Sequence, residues 1–117
     1  MRYMLMCCMN EAHWNGLDEA TRDDVMTRYR SWVDQIDAAG QHVLTHQLMQ
    51  TTTATTLRSP AGREVITDGP FAETREQFGG FHLIDCEALD AALAIARRIP
   101  TLAVGGTIEV RPLVDSA

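Results

Sequence analysis

Lysine is absent from this sequence, and its ten basic residues are arginines scattered along the chain. Acidic residues outnumber them, 16 to 10, which gives a formal net charge of −6 at pH 7. Binding to nucleic acids depends on clustered basic side chains that contact phosphates. The charge pattern therefore argues against a nucleic-acid partner.

Long apolar runs are also missing, so no segment is predicted to cross a bilayer. No apolar core with a cleavage site follows Met1, and we expect no secretory signal. The cysteines are few, at Cys7, Cys8 and Cys86. Adjacent cysteines on a strand point to opposite faces and form no ordinary disulfide, and the spacing is not that of a zinc site. Reduced, space-filling thiols and a cytoplasmic protein are the expectation.

What the sequence does contain is enough apolar material for one globular domain. It has 117 residues, of which 45% are hydrophobic and 22% charged. That length and composition predict a single domain over residues 1–117 with its own core.

Apolar patterning and turn residues predict a definite order of elements. The clearest element is a helix that begins near Asp18 or Thr21, carries an apolar stripe from Val25 to Ala39 and stops at Gly40. A loop through Trp14 and Gly16 is expected before it. The other predicted elements are strand Tyr3–Met9, strand Gln41–Met49, a hairpin of Thr53–Arg58 and Arg63–Thr67, strand Gly80–Cys86, helix Glu87–Arg98 and strand Thr107–Leu113.

This order, β-α-β, hairpin, β-α-β, predicts an α+β fold: a ferredoxin-like split βαβ domain with an inserted β-hairpin. Two helices cover only one face of such a sheet. The first strand, however, reads Met4-Leu5-Met6-Cys7-Cys8-Met9 and is apolar on both faces. Because a two-sided apolar strand needs cover on both sides, we expect a homodimer in which a second copy covers the other face.

The segment from Thr67 to Phe81, which contains Asp68-Gly69-Pro70-Phe71, resembles the signature of the DGPF branch of the YCII-related proteins. The resemblance extends over nearly the whole chain, including Thr53 to Arg58 and Gly106 to Pro112. It implies a dimeric α+β barrel, in which two ferredoxin-like domains pack sheet to sheet. Related barrels include cofactor-free monooxygenases and muconolactone isomerases, so the resemblance implies no cofactor.

Broader YCII relatives carry a His–Asp pair thought to be catalytic, with the histidine on the first helix and the aspartate before the last strand. The predicted first helix here has no histidine, and Ile99 stands before Pro100 where an aspartate is expected. That pair is therefore not carried over. DGPF-type genes often accompany alternative sigma factors, which adds a regulatory alternative.

His82 and Asp68 are the candidate catalytic residues. His82 alternates with Ile84, while Phe81 and Leu83 share the opposite face and are expected under the helices. His82 would then face the barrel interior as a general acid or base, or serve as a satisfied core histidine. Asp68 is either a base in a cleft between subunits or a turn residue whose carboxylate accepts backbone N–H bonds.

Four further residues are candidates for ligand binding. His46 shares a strand with His42, and Phe71, Glu73 and Arg75 follow the Asp68 loop. An arginine between acids can clamp an anion or form a solvated ion pair. His42 and His46, on one face of a strand, are expected about 13 Å apart at a rise of ~3.3 Å per residue, too far to share a metal. No metal site is predicted.

Three functions remain open at this point. The first is a metal-free small-molecule enzyme with a pocket in the dimeric barrel. The second is a ligand-binding or regulatory module without turnover, and the third is a structural partner for another protein. A histidine–carboxylate contact in a deep pocket would favour the enzyme.

Overall fold

The structure, a computed structural model, describes residues 1–114. Its strands are β1 (Arg2–Met9), β2 (His42–Gln47), β3 (Thr55–Arg58), β4 (Val65–Asp68), β5 (Gln77–Asp85) and β6 (Thr107–Pro112). Its α-helices are α1 (Glu11–Gly16), α2 (Glu19–Ala38) and α3 (Leu89–Ala96). Short 3₁₀ helices lie at Thr51–Thr53, Pro60–Gly62 and Pro100–Val104.

Four strands form an antiparallel sheet in the order β2-β5-β1-β6. This order and these directions are consistent with the ferredoxin-like α+β fold that the sequence predicts. β3 and β4 pair only with each other, as the inserted hairpin.

The first helical segment differs from the prediction. Residues expected in a loop form α1, because the side chain of Asn10 accepts a hydrogen bond from the His13 amide at 2.9 Å and caps the helix. The first helix therefore does contain a histidine, contrary to the prediction. His13 is exposed, and its Nε2 lies 2.9 Å from the Val104 carbonyl oxygen. Asp18 then caps α2, and Gly40 ends it with φ +72°, as predicted.

The core lies between the sheet and the two longer helices. Leu5 and Ile84 supply its centre on the sheet side, and Trp32 and Ile36 supply it from α2. The indole Nε1 of Trp32 donates to the Ile95 carbonyl at 3.1 Å, which ties α2 to α3. We call this face of the sheet, which packs against the helices, the covered face, and the opposite one the open face.

The assignment of faces on β5 is opposite to the prediction. His82 and Ile84 lie on the covered face, only 2% and 0% exposed, while Phe81 and Leu83 lie on the open face. The expectation that the larger side chains pack under the helices is wrong because α2 brings its own bulky Tyr29 and Trp32 against the sheet.

The spacing of His42 and His46 is also changed by the fold. The pairing of β2 with β5 shifts between His42 and Leu44, so His42 lies opposite Ile84 and His46 opposite Phe81. This bulge inserts one residue and reverses the alternation, which places the two histidines on opposite faces. The prediction that they share a face is wrong.

Candidate functional site

A cavity of about 510 Å³ opens between α2 and the β2–β5 side of the sheet. Trp14, Met26, Val33 and Leu48 give it largely apolar walls. Its inner end is polar, since the side chains of Cys7, Tyr29, Thr45 and His82 all reach it. An apolar cavity with a few converging polar groups is the usual form of a small-molecule site.

At the inner end, His82 bonds through both ring nitrogens. Its Nε2 forms a short hydrogen bond with the Tyr29 hydroxyl, and its Nδ1 lies 2.8 Å from Thr45 Oγ1. Tyr29 Oη also lies 3.0 Å from Cys7 Sγ. The buried imidazole is thus fully satisfied, and both it and its partner Tyr29 belong to residues that line the cavity.

The polar contacts continue from Thr45 to the surface through one more hydrogen bond and one ion-pair contact. Thr45 Oγ1 lies 2.6 Å from His42 Nε2, and His42 Nδ1 lies 3.4 Å from Asp37 Oδ1. The Asp37 side chain is 72% exposed, whereas that of His42 is 18% exposed. We call the series Asp37, His42, Thr45, His82, Tyr29 and Cys7 the polar chain.

Burial shifts the proton affinities of the inner groups. It lowers the pKa of His82 to about 4, with the nearby His42 as a second cause. It raises the pKa of Tyr29, with Cys7 contributing further. It also raises the pKa of Cys7 to about 11, against a smaller opposing effect of the hydrogen bond to Tyr29. All three groups are therefore neutral near pH 7.

Packing fixes the orientation of the His82 ring. The Trp32 ring meets it edge-on with centroids 4.7 Å apart, and the Tyr29 ring lies 5.3 Å away. Gly80, on the same face of β5, lines the cavity, and a Cβ there would come within 3.1 Å of the His46 carbonyl oxygen. Glycine at this position lets β2 approach closely beside the site.

Thr101 contributes a polar atom of a different kind. Its residue lines the cavity, and its Oγ1 is buried with no hydrogen-bond partner among residues 1–114. An unsatisfied buried hydroxyl costs about 1–3 kcal/mol. Because this oxygen is inaccessible from the cavity, it would bond a ligand only if the Thr101 side chain rotated toward the cavity.

The structure brings only part of the predicted set together. His82 lies at the inner end of the cavity, but its partners are Tyr29 and Thr45, not Asp68 or His46. His46 lies along the β2 edge of the cavity, and its exposed ring contacts Phe81 at 6.1 Å between centroids.

The DGPF loop lies away from this cavity. Asp68, Phe71, Glu73 and Arg75 are all exposed, Phe71 by 77%, and none of them lines it. Within residues 1–114 the Asp68 carboxylate accepts no hydrogen bond, so the prediction that it orders its own loop is wrong. The turn is instead held by Gly69, whose N–H donates to Ala54 and whose carbonyl accepts from Thr56. A role for Asp68 at a subunit interface stays a prediction.

The sequence reading missed Tyr29, Thr45, His42 and Cys7 as site residues. Tyr29 lies within the apolar stripe that the sequence predicts from Val25 to Ala39. A phenol on a buried stripe requires a hydrogen-bond partner. The same requirement holds for a histidine in a central strand. Two such groups facing one core are the signal that could have paired Tyr29 with His82.

Two further kinds of feature, a metal site and a membrane-spanning helix, are considered for the described part of the chain. Within residues 1–114 no group of three His, Cys, Asp or Glu residues is placed to hold a metal ion. Over the same range, no helix has the length and hydropathy required to span a bilayer.

The fold and the cavity define a small ferredoxin-like α+β protein with a helix-covered site on its sheet. Comparison with known proteins identifies the family: the YCII-related domain matches residues 1–116, and the chain belongs to that family. An uncharacterized protein of Rhizobium meliloti (strain 1021) is 41% identical over 118 residues, covering 97% of this chain and 92% of that protein.

Proposed function

We propose that this protein is a small-molecule enzyme that performs acid–base chemistry, with Tyr29 as the group that meets the substrate and His82 as its buried partner. The observation that carries the proposal is the hydrogen bond between Tyr29 Oη and His82 Nε2 at the inner end of an apolar cavity. A tyrosine backed by an imidazole can take up or release a proton without ionising alone in an apolar site.

The cavity walls indicate the class of substrate. A volume of about 510 Å³ with Trp14, Met26 and Val33 on its walls suits a cyclic or aromatic molecule with few charges. A carbonyl or hydroxyl group of that molecule would meet Tyr29. The Thr101 hydroxyl would supply a second polar contact if its side chain rotated toward the cavity, and His46 at the β2 edge is a candidate ligand contact.

Deuterium exchange tests this proposal with a simple probe. The α-protons of 2-tetralone, an aromatic ketone of suitable size, are followed by proton NMR in D₂O with and without the protein. Exchange faster than in buffer is expected, and Tyr29→Phe and His82→Gln should each slow it by roughly 10²–10⁴-fold.

The chain supplies matched controls for both substitutions. Tyr3 is also buried, but its hydroxyl bonds to Met1 Sδ, so Tyr3→Phe should leave exchange unchanged. His13→Gln is the control for His82→Gln and should leave exchange unchanged, because His13 is exposed and does not line the cavity. Binding of the ketone with no exchange above buffer would favour the alternative, a ligand-binding or regulatory module.

Thr101→Val separates ligand binding from folding. Removing an unsatisfied hydroxyl should leave stability unchanged or raise it, because its desolvation cost disappears. If the hydroxyl bonds the ligand, the same variant should bind 2-tetralone several-fold more weakly. Unchanged affinity would remove Thr101 from the site.

We also propose that the protein is a homodimer formed through the open face of the sheet. Met4, Met6, Phe81 and Leu83 form an apolar strip on that face, which no helix within residues 1–114 covers. The radius of gyration, 16.2 Å, exceeds the value of about 13 Å typical of a compact domain of this size. The β3–β4 hairpin carries exposed Leu57 and Ile66, and with the loop from Asp68 to Arg75 it is the segment we expect to reach the partner.

Light scattering at micromolar concentration tests the dimer. Met6→Asp, which places a charge in the strip, should give a monomer, whereas Arg30→Asp on the exposed side of α2 should not. A monomeric wild type would refute the proposal.

We also propose that the chain belongs to the DGPF branch, on the basis of residues 68–71. The three free cysteines support a further proposal, a cytoplasmic location.

A further inference from the structure

We infer that the polar chain is a directed proton relay, in which His42 exchanges protons with solvent and Tyr29 exchanges them with the cavity. This inference rests on the proposed function, because only acid–base chemistry in the cavity would use the protons that the relay carries. His42 and Thr45 become positioning residues of that chemistry, although neither contacts the substrate.

The direction of the relay follows from the donor and acceptor capacity of each group. The Asp37 carboxylate lies 3.4 Å from His42 Nδ1, and its negative charge favours the proton of a neutral His42 on that nitrogen. The bare Nε2 of a neutral His42 then accepts from the Thr45 hydroxyl at 2.6 Å. A hydroxyl has one proton, so Thr45 Oγ1 must accept from Nδ1–H of His82 at 2.8 Å.

The same reasoning continues into the cavity. With its proton on Nδ1, His82 accepts at Nε2 from the Tyr29 hydroxyl. Tyr29 Oη, having used its proton, accepts from the Cys7 thiol at 3.0 Å. An exposed carboxylate on α2 thus favours one position for each proton as far as Cys7 on β1.

The proton balance of one transfer is simple. When Tyr29 Oη takes a proton from a substrate, its own proton passes to His82 Nε2. His82 releases the Nδ1 proton to Thr45 Oγ1, and Thr45 releases its proton to His42 Nε2. One proton has left the substrate, one has arrived at His42, and Thr45, His82 and Tyr29 end neutral.

The charge is therefore carried where it is best stabilised. The new imidazolium forms at His42, beside Asp37, and not at the buried His82, whose pKa is held low by burial. Protonation of His42 from solvent also reverses every bond of the relay. Tyr29 then points its proton toward the cavity side and acts as an acid, so His42 selects between the base and acid forms of the site.

Two ionisable groups are seen to interact with His42 within residues 1–114. Asp37 faces it from α2, and His82 faces it through Thr45 from β5. Asp85, at the end of β5, is paired with the Met1 amino group at 3.0 Å. Asp37 is thus the carboxylate that determines the His42 tautomer.

Long-range ¹H–¹⁵N correlation spectra of the full chain test the relay without any ligand. While His42 is neutral, the Nδ1–H tautomer should predominate in both His42 and His82. As His42 gains a proton, the ¹⁵N resonances of His82 should move to the Nε2–H tautomer with the same midpoint. A His82 whose tautomer does not change as His42 gains a proton would overturn the inference.

Substitution of Thr45 distinguishes a relay from a through-space field. Thr45→Val should abolish the coupled movement of His82, whereas Thr45→Ser should preserve it. Thr55→Val, at an exposed position on β3, is the matched control and should change nothing. Coupling that persists in Thr45→Val would show that electrostatics alone links the histidines, and the relay would be rejected.

Asp37→Asn provides a second variant that leaves the core intact, because Asp37 is exposed. An amide can donate as well as accept, so the single tautomer of His42 should be lost, and that of His82 with it. An exposed pair of this kind biases the tautomer by roughly fivefold at most. Asp24→Asn, elsewhere on α2, should leave both spectra unchanged. A result against the relay here leaves the exchange test of the proposed function standing, and the reverse holds as well.

Discussion

The two faces of the sheet are built from alternating residues of the same strands, yet they provide different chemical environments. Thr45 and His46 are neighbours on β2: one bonds to the buried His82, and the other exposes its ring beside Phe81. Cys7 and Cys8 divide in the same way on β1. The residue types are similar on both faces, so burial under α2 accounts for the lowered pKa of His82 and for the raised pKa of Cys7, whereas the pKa of Cys8, on the open face, is raised with a smaller degree of burial.

The most severe test of this difference compares Leu5 with Met6. Leu5 is fully buried on the covered face, and Leu5→Ala should cost about 2–5 kcal/mol of unfolding free energy through lost contacts and a cavity. Met6 is half-buried on the open face, and Met6→Ala should cost clearly less. Urea unfolding at low protein concentration measures both losses.

The same pair of variants also reports on the proposed dimer. If a second copy covers the open face, the loss for Met6→Ala should grow with protein concentration, because folding and association are then linked. The loss for Leu5→Ala should not depend on that cover. Equal losses for both residues at every concentration would contradict the division into a covered and an open face.

Acid should destabilise the protein because His82, which is buried on the covered face, is neutral in the folded state. The pKa of His82 is lowered to about 4 from its ordinary value of 6.5, so the unfolded chain binds the proton first as pH falls. The stability associated with neutral His82 is fully present above pH 6.5 and is lost progressively down to pH 4. Its size is roughly 3 kcal/mol.

Unfolding measured between pH 7 and 4 in wild type and two variants checks this expectation. His82→Gln should have a shallower loss of stability with acid, and the carboxylates that titrate in both proteins cancel in the comparison. His46→Gln should keep the wild-type slope. Parallel curves for wild type and His82→Gln would show that His82 is not perturbed in solution.

Much of the fold could be predicted from the sequence, because strong local signals coincide. The stripe of α2, its Asp18 cap and its Gly40 stop, the hairpin turn around Pro60 and the end of α3 before Pro100 all depend on neighbouring residues. The two-sided apolar pattern of β1 likewise predicted an uncovered face.

The site could not be predicted in the same way, because it depends on non-local facts. The face of His82 follows from which side α2 packs, and both faces of β5 are apolar enough to permit either choice. The position of His42 depends on a one-residue bulge that no local residue type signals. The contact between His82 and Tyr29 spans 53 positions in sequence. Only the requirement that buried polar groups find partners could have joined them.

Thiol reactivity gives a chemical measure of the difference between the covered face and the open face. The pKa of Cys7 is raised from 9.0 to about 11, mainly by burial, so its thiolate fraction at pH 8 should be about 100-fold lower than that of an unperturbed cysteine. Iodoacetamide labelling, followed by peptide mass spectrometry, should modify Cys7 far more slowly than Cys8 or Cys86. In urea the three rates should become equal, and Cys7 labelling as fast as Cys8 in the folded protein would contradict its burial.

The smallest expected change in unfolding free energy is that of a substitution at His46. A small change there would support the exposure of the open face in the monomer. His46 is exposed, and its ring meets Phe81 without a hydrogen bond to any residue from 1 to 114. His46→Gln should therefore change the unfolding free energy by no more than about 0.5 kcal/mol in the monomer. A larger loss that appears only as protein concentration rises would place His46 in the dimer interface, because the ring would then gain cover that one chain does not provide. A large loss at all concentrations would mean that His46 is held within its own chain, and the open face would then be less open than its exposed side chains indicate.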